Sequence, residues 1–222
     1  MKDRQGFLFG LVYSPIVITG LHQSFPPIEL ELFNQGGSFI FPTASMANIA
    51  QGAVALAVYF LARNAKLKGL SGSSGVSAVF GITEPAIFGV NLRLRWPFYI
   101  GMGAAAIGSM LVAIFDVKAT ALGAAGFIGV VSMRASDMPT FLVLAAVTFA
   151  IAFAAAYGYG RYLVSKQGSI GPDSPEDTRA DAAAAQTLRE ASADALALAI
   201  CHCWRAPLIA RSNAAAHAEA WG

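Results

Sequence analysis

Gly81-Ile82-Thr83-Glu84-Pro85-Ala86-Ile87-Phe88-Gly89 lies inside a long apolar run and decides how the chain is read. Glu84 is the only acid between Glu31 and Asp116. A carboxylate at the centre of a membrane helix costs roughly 2.5–3.5 kcal/mol on insertion scales, which makes an acid at that depth a candidate for function. Pro85 suits the first position of a helix, and Thr83 or Glu84 suits its cap. A half-helix beginning here sets free backbone amides beside the carboxylate, the arrangement of midplane substrate sites in transporters. The surrounding stretch, 69–92, is broken further by Gly72, Gly75 and Gly89. Broken backbone survives at bilayer depth only where protein or a water-filled cavity satisfies it. The stretch is therefore expected to fold back as a re-entrant hairpin.

The composition around it supports the membrane setting. The 222 residues are 56% hydrophobic and only 13% charged, against roughly a quarter charged in soluble domains. A soluble single-core enzyme is therefore not expected. Residues 1–166 contain all 15 Phe, 19 of the 22 Gly and 17 charges, 11 of them basic. Residues 167–222 contain no Phe or Tyr, 17 Ala and 11 charges, 7 of them acidic. Two kinds of sequence follow: a membrane body over 1–166 and a linker with an Ala-rich tail over 167–222, disordered or partly helical. Eleven cations spread through an apolar body make no nucleic-acid patch. They read as loop charges that orient membrane spans, because Lys and Arg remain on the cytoplasmic side.

About 20 apolar residues cross the hydrocarbon core. Four charge-free stretches qualify: one between Arg4 and Glu29, then 39–62, 96–115 and 138–160. A shorter Gly-rich stretch, 119–133, is expected to be a second hairpin. The charges then set the topology. Lys2 and Arg4 are expected inside, and the first span exits to leave Glu29 and Glu31 outside. The second span returns to Arg63, Lys66 and Lys68. The first hairpin dips and comes back to Arg93 and Arg95. The third span exits near Asp116 and Lys118, and the fourth returns to Arg161 and Lys166. Nine of the 11 body cations then share the inner face, and the tail is cytoplasmic.

Few other residues carry chemistry. His22 is the only histidine of the body, and an imidazole beside a carboxylate offers the donor and acceptor pair that a sugar hydroxyl needs. Its alternative role is an interfacial hydrogen bond. Asn48 and Gln51 stand three apart on one helical face, as a polar lining or as the glue that holds membrane helices together. Cys201-His202-Cys203 has neither the spacing nor the second pair of a zinc site, so no metal is expected.

These residues carry a resemblance. Thr19-Gly20-Leu21-His22-Gln23-Ser24-Phe25, Gly36-Gly37-Ser38-Phe39-Ile40-Phe41-Pro42, Ala47-Asn48-Ile49-Ala50-Gln51-Gly52-Ala53, 121–126 and above all 81–94 (GITEPAIFGVNLRL) stand in order. The body is similar to the membrane component, enzyme IIC, of the bacterial sugar phosphotransferase system, in the sucrose, trehalose and β-glucoside branch of the glucose superfamily. The resemblance covers about 7–166 and matches the C-terminal, substrate-carrying half of such a domain. It implies an all-α membrane protein of transmembrane helices with two re-entrant helical hairpins, in the bacterial inner membrane. It implies transport coupled to phosphorylation, with sucrose favoured by Gly20 to Phe25 and by Glu29 to Leu32. Glu84 and His22 then serve as catalytic and sugar-binding residues, with Thr83, Asn48 and Gln51 completing the binding set. No cofactor is implied. The implied partners are a phosphorylated IIB component, an upstream IIA component, the lipid bilayer and a second copy in the full-length protein. The tail matches nothing in the family and is expected to come from a truncated or shifted reading frame, which would leave the fragment inactive. An ion-coupled sugar transporter, with Glu84 carrying a proton, is the competing class.

Overall fold

The computed structural model describes residues 2–123, 125–167 and 170; the expectations for the tail, including Cys201 and Cys203, lie outside the described residues. The chain is an all-α membrane protein. Its helices are α1 (Lys2–Ile18), α2 (Phe25–Asn34), α3 (Ile40–Leu61), α4 (Ala65–Val79), α5 (Glu84–Ala86), α6 (Leu92–Leu94), α7 (Trp96–Ile114) and α8 (Met138–Gln167). One 3-10 turn spans Leu21–Ser24 and a second spans Gly126–Ser132, and a π-helical turn at Ile87–Asn91 joins α5 to α6. Among the described residues, α3, α7 and α8 are straight helices long and apolar enough to cross a bilayer.

Helix α3 is the central post. Eighteen of its 22 residues are buried, and it packs against α1, α4, α7 and α8. Small residues make that packing close. Gly52 and Gly75 bring α3 and α4 together at Val79 and Leu56, and a Cβ on Gly72 would come within 2.9 Å of the Tyr59 ring. Lipid is as apolar as leucine, so helices in a membrane are held by such close van der Waals contact rather than by the hydrophobic effect.

The broken stretch folds as expected. Helix α4 runs back along α3, the chain turns at 80–83, and α5, the π turn and α6 return. Gly81 has φ 108°, a backbone region that side chains disfavour. Pro85 stands in the first turn of α5, and Thr83 is its N-cap residue, without a side-chain capping bond. The second Gly-rich stretch also folds back. Ala119 bridges both Ser38 and Met133, and the Arg134 guanidinium donates to the Gly36 carbonyl at 2.9 Å.

The first span is corrected. Helix α1 ends at Ile18, Gly20 takes φ 78°, and α2 leaves at 109° to α1. A Cβ on Gly6 would lie 2.6 Å from that of Ala113, and Gly10 abuts Ser109. The start of α1 therefore lies beside the end of α7, at the Asp116 end of the bundle. Gly37, just beyond α2, packs on Ala119 and Lys118 at that same end. The bent pair enters and leaves on one side, and Glu29 is buried at 4% exposure rather than placed in an outer loop.

The cation count shifts accordingly. Arg63, Lys66, Lys68, Arg93, Arg95, Arg161 and Lys166 flank the opposite end, where Leu61, Leu67, Leu94, Trp96 and Val164 pack together. The Arg4 side chain lies with Met110 at the Asp116 end. The single-sided bias survives, but the N-terminal cations do not belong to it.

Candidate functional site

Three folded-back elements meet beside α3 and enclose a cleft of about 450 Å³. The bend between α1 and α2 contributes Tyr13, Val17, His22, Gln23, Phe25 and Glu29. The tip of the first hairpin contributes Phe80 to Glu84. The second hairpin contributes Leu122, Gly123 and Ala125, and α3 supplies Ile40, Phe41, Ala44 and Asn48. The volume lies within the roughly 300–1,000 Å³ usual for small-molecule sites.

The elements are tied at this point. A Cβ on Gly81 would come within 2.5 Å of the Ala125 carbonyl oxygen, and Gly126 abuts the Val79 carbonyl. Gly126 has φ 79°. The Asn48 amide donates to the Gly81 carbonyl at 3.4 Å, which anchors the tip to α3. Phe9, Tyr13 and Phe25 pack ring against ring beneath the bend, Tyr13 and Phe25 stacked at 6.1 Å between centroids.

Of the five residues singled out from sequence, four reach the cleft: His22, Asn48, Thr83 and Glu84. Glu84 is exposed, and Thr83 is buried at 4%. The Gln23 amide nitrogen lies 3.2 Å from His22 Nε2, and His22 Nδ1 is buried with no hydrogen-bond partner among the described residues. With Nε2 accepting from that amide, Nδ1 carries the ring proton and is an unspent donor. A carboxylate accepts only, so Glu84 and His22 together can receive and donate hydrogen bonds from one polyhydroxylated ligand.

Gln51 does not reach the cleft. It is 1% exposed, and its amide nitrogen lies 3.2 Å from Ser14 Oγ on α1 and 3.5 Å from the Phe98 carbonyl on α7. Its side-chain oxygen accepts from Asn91 Nδ2 at 2.8 Å. The alternative of interhelical glue describes its position. A Cβ on Gly101 would intrude to 2.7 Å from its Nε2, so Gly101 makes room for it.

Two cleft residues escaped the reading. Glu29 accepts from Ser38 Oγ at 3.3 Å, while Ser38 Oγ accepts from the Ile40 amide at 3.1 Å at the head of α3. Its formal charge made it look like a loop residue, and only the bend turns it inward. Tyr13 was one aromatic among many, and the one signal was its place about two turns before the Thr19-Gly20 break.

The profile for "Phosphotransferase system, EIIC" matches residues 4–106. The sucrose-specific EIIBCA component of Pediococcus pentosaceus is 49% identical over 158 residues, covering 69% of this chain and 24% of that protein. The sucrose-specific EIIBC component of Staphylococcus xylosus is 55% identical over 137 residues, 60% of this chain and 28% of that one. The trehalose-specific EIIBC component of Bacillus subtilis (strain 168) is 42% identical over 159 residues, 71% and 34% respectively. The chain thus spans about a quarter to a third of the length of the curated relatives it matches. No solved structure gives a significant match.

Proposed function

We propose, on the premise that residues 4–106 belong to the phosphotransferase system EIIC family, that the cleft is the sugar site of a permease that couples uptake to phosphorylation. One observation carries the reading: His22 and Glu84, 62 positions apart in the sequence, line a single cleft of about 450 Å³ together with Thr83 and Asn48. Sucrose is the proposed substrate, because sucrose-specific proteins stand among the relatives at 49% and 55% identity.

In this reading the membrane body over 1–166 is the transport unit, and the tail from 167 lies on the cytoplasmic side with the seven flanking cations. Asn48 holds the hairpin tip, Thr83 adds a hydroxyl, and His22 Nδ1 donates to a sugar oxygen. Glu84 accepts from the hydroxyl that is to be phosphorylated. A phosphorylated IIB component, recharged by a IIA component, presents its phosphocysteine. The hydroxyl oxygen bonds to phosphorus as the S–P bond breaks, the thiolate leaves, and Glu84 takes the hydroxyl proton as general base, a role that requires hydrogen-bond reach. Once Glu84 has released that proton to solvent, its carboxylate repels the dianionic product, which cannot recross lipid. Pairing with a second copy belongs to the full-length protein.

Equilibrium dialysis with labelled sucrose on the purified 222-residue chain tests the site. Saturable binding is expected, weakened about 10- to 100-fold by Glu84→Gln, since hydrogen bonds to a charged group are worth about 1.5–3 kcal/mol. Binding unaffected by Glu84→Gln removes that carboxylate from the site. Uptake that follows the proton gradient instead of phosphoenolpyruvate would assign the protein to the ion-coupled class.

A further inference from the structure

Helix α8 is 30 residues long, about 45 Å at 1.5 Å per residue, against a hydrocarbon core of about 30 Å. Its last eleven residues, 157–167, therefore reach the headgroup layer. They carry Tyr157, Tyr159, Tyr162, Arg161 and Lys166, the aromatic and basic mixture that favours an interface. Here α8 and the end of α3 form a groove of about 360 Å³ lined by Phe60, Leu61, Tyr157, Arg161, Val164 and Ser165.

The groove has two chemistries. Phe60, Leu61 and Val164 are an apolar wall, and Phe60 is 63% exposed. Arg161, Tyr157 and Ser165 are hydrogen-bond donors. The Arg161 guanidinium carbon stands 5.9 Å from the centre of the Tyr157 ring, and its Nη1 lies 3.5 Å from Tyr157 Oη. Among the described residues no acidic side chain pairs with Arg161. A preoriented guanidinium with no acidic partner among the described residues, beside two hydroxyls, suits the oxygens of a phosphate diester, and basic pockets between helices at the membrane surface bind anionic headgroups. We propose that this groove is a binding site for an anionic glycerophospholipid, its phosphodiester on Arg161 and Ser165 and an acyl chain along Phe60 and Leu61. The site is separate from the cleft, lined by none of its residues, and stands whether or not the cleft binds sugar.

The test is native mass spectrometry of the full 222-residue chain released from nanodiscs of equal phosphatidylglycerol and phosphatidylcholine. Phosphatidylglycerol is expected to be retained about fivefold over phosphatidylcholine, the effect of one cation near an anionic surface. Arg161→Gln is expected to abolish that preference, Arg161→Lys to reduce it, since an ammonium lacks the planar fork, and Lys68→Gln to leave it intact, because Lys68 sits over Tyr59 outside the groove. Equal retention of both lipids by the unaltered chain overturns the proposal without reference to any variant. So does an equal loss in Lys68→Gln, which would mean diffuse surface charge, or displacement of the lipid by millimolar inorganic phosphate, which would mean a free-anion site.

Discussion

Asn91 donates through Nδ2 to both the side-chain and the main-chain oxygen of Gln51, at 2.8 and 3.0 Å, across 40 residues of sequence. Asn91 ends the π-helical turn, where the widened helix departs from the regular register. Both residues are buried, at 0% and 1% exposure. The pair fastens the returning arm of the first hairpin to α3, one turn from Asn48, which fastens the tip.

Removing one member strands the other in an apolar interior. Asn91→Ala is expected to destabilise the protein by about 1–3 kcal/mol, the cost of an unsatisfied buried polar group. Gln51→Ala is expected to cost at least as much, because Gln51 also reaches Ser14 and Phe98. The double variant is expected to cost less than the sum. Thermal unfolding in detergent of the four members of the cycle checks this, and additive effects would deny the coupling.

Gly81→Ala places a methyl against the Ala125 carbonyl at a φ that alanine disfavours. Backbone strain of this kind costs on the order of 1–3 kcal/mol. The expected result is a lowered melting temperature together with loss of sucrose binding, since the tip is displaced from Asn48. A variant with native binding would show that the tip tolerates the shift.

His22→Ala is expected to separate binding from stability. Among the described residues the imidazole's one hydrogen bond is to the Gln23 side-chain amide, and its buried Nδ1 has no partner. The variant should lose no more than about 1 kcal/mol, or about 2–4 °C in melting temperature, while dialysis shows weaker sucrose binding. A large drop in melting temperature with unaltered affinity would assign His22 to structure alone.

The bent pair predicts a labelling pattern. Cysteines placed at Arg4 and Ser136 are expected to react with an impermeant maleimide from one side of sealed vesicles, and a cysteine at Arg63 from the other. Reaction of Arg4→Cys and Arg63→Cys from the same side would restore a crossing first span.

What was legible in the sequence was whatever charge and helix breakers mark. Arg63, Arg95, Asp116, Asp137 and Arg161 bracket the crossing helices, and Gly81 with Pro85 announces the hairpin, because both effects are local. The direction of α1 was not legible. Its only evidence is Gly6 and Gly10 matched to Ser109 and Ala113 on α7, a pairing of small residues between distant segments that reads within either segment as mere composition. His22, Asn48, Thr83 and Glu84 could be picked out by type, since a polar group in an apolar run is conspicuous. Gln51 has the same look and another position, because spacing on a helix gives a face but not what that face meets. Glu29 was misplaced for the converse reason: a charge usually marks a loop, and its burial depends on a bend that no single residue encodes.

The contact of Gly81 with Ala125 joins loops that enter from opposite ends of the bundle. There the two hairpin tips meet backbone to backbone, with no side chain between Gly81 and the Ala125 carbonyl. In the transport cycle proposed above, a small change in hairpin tilt would switch the side of the membrane to which the cleft opens. Packing at this partition is set by backbone fit, with Gly81 against the Ala125 carbonyl and the neighbouring Gly126 against the Val79 carbonyl.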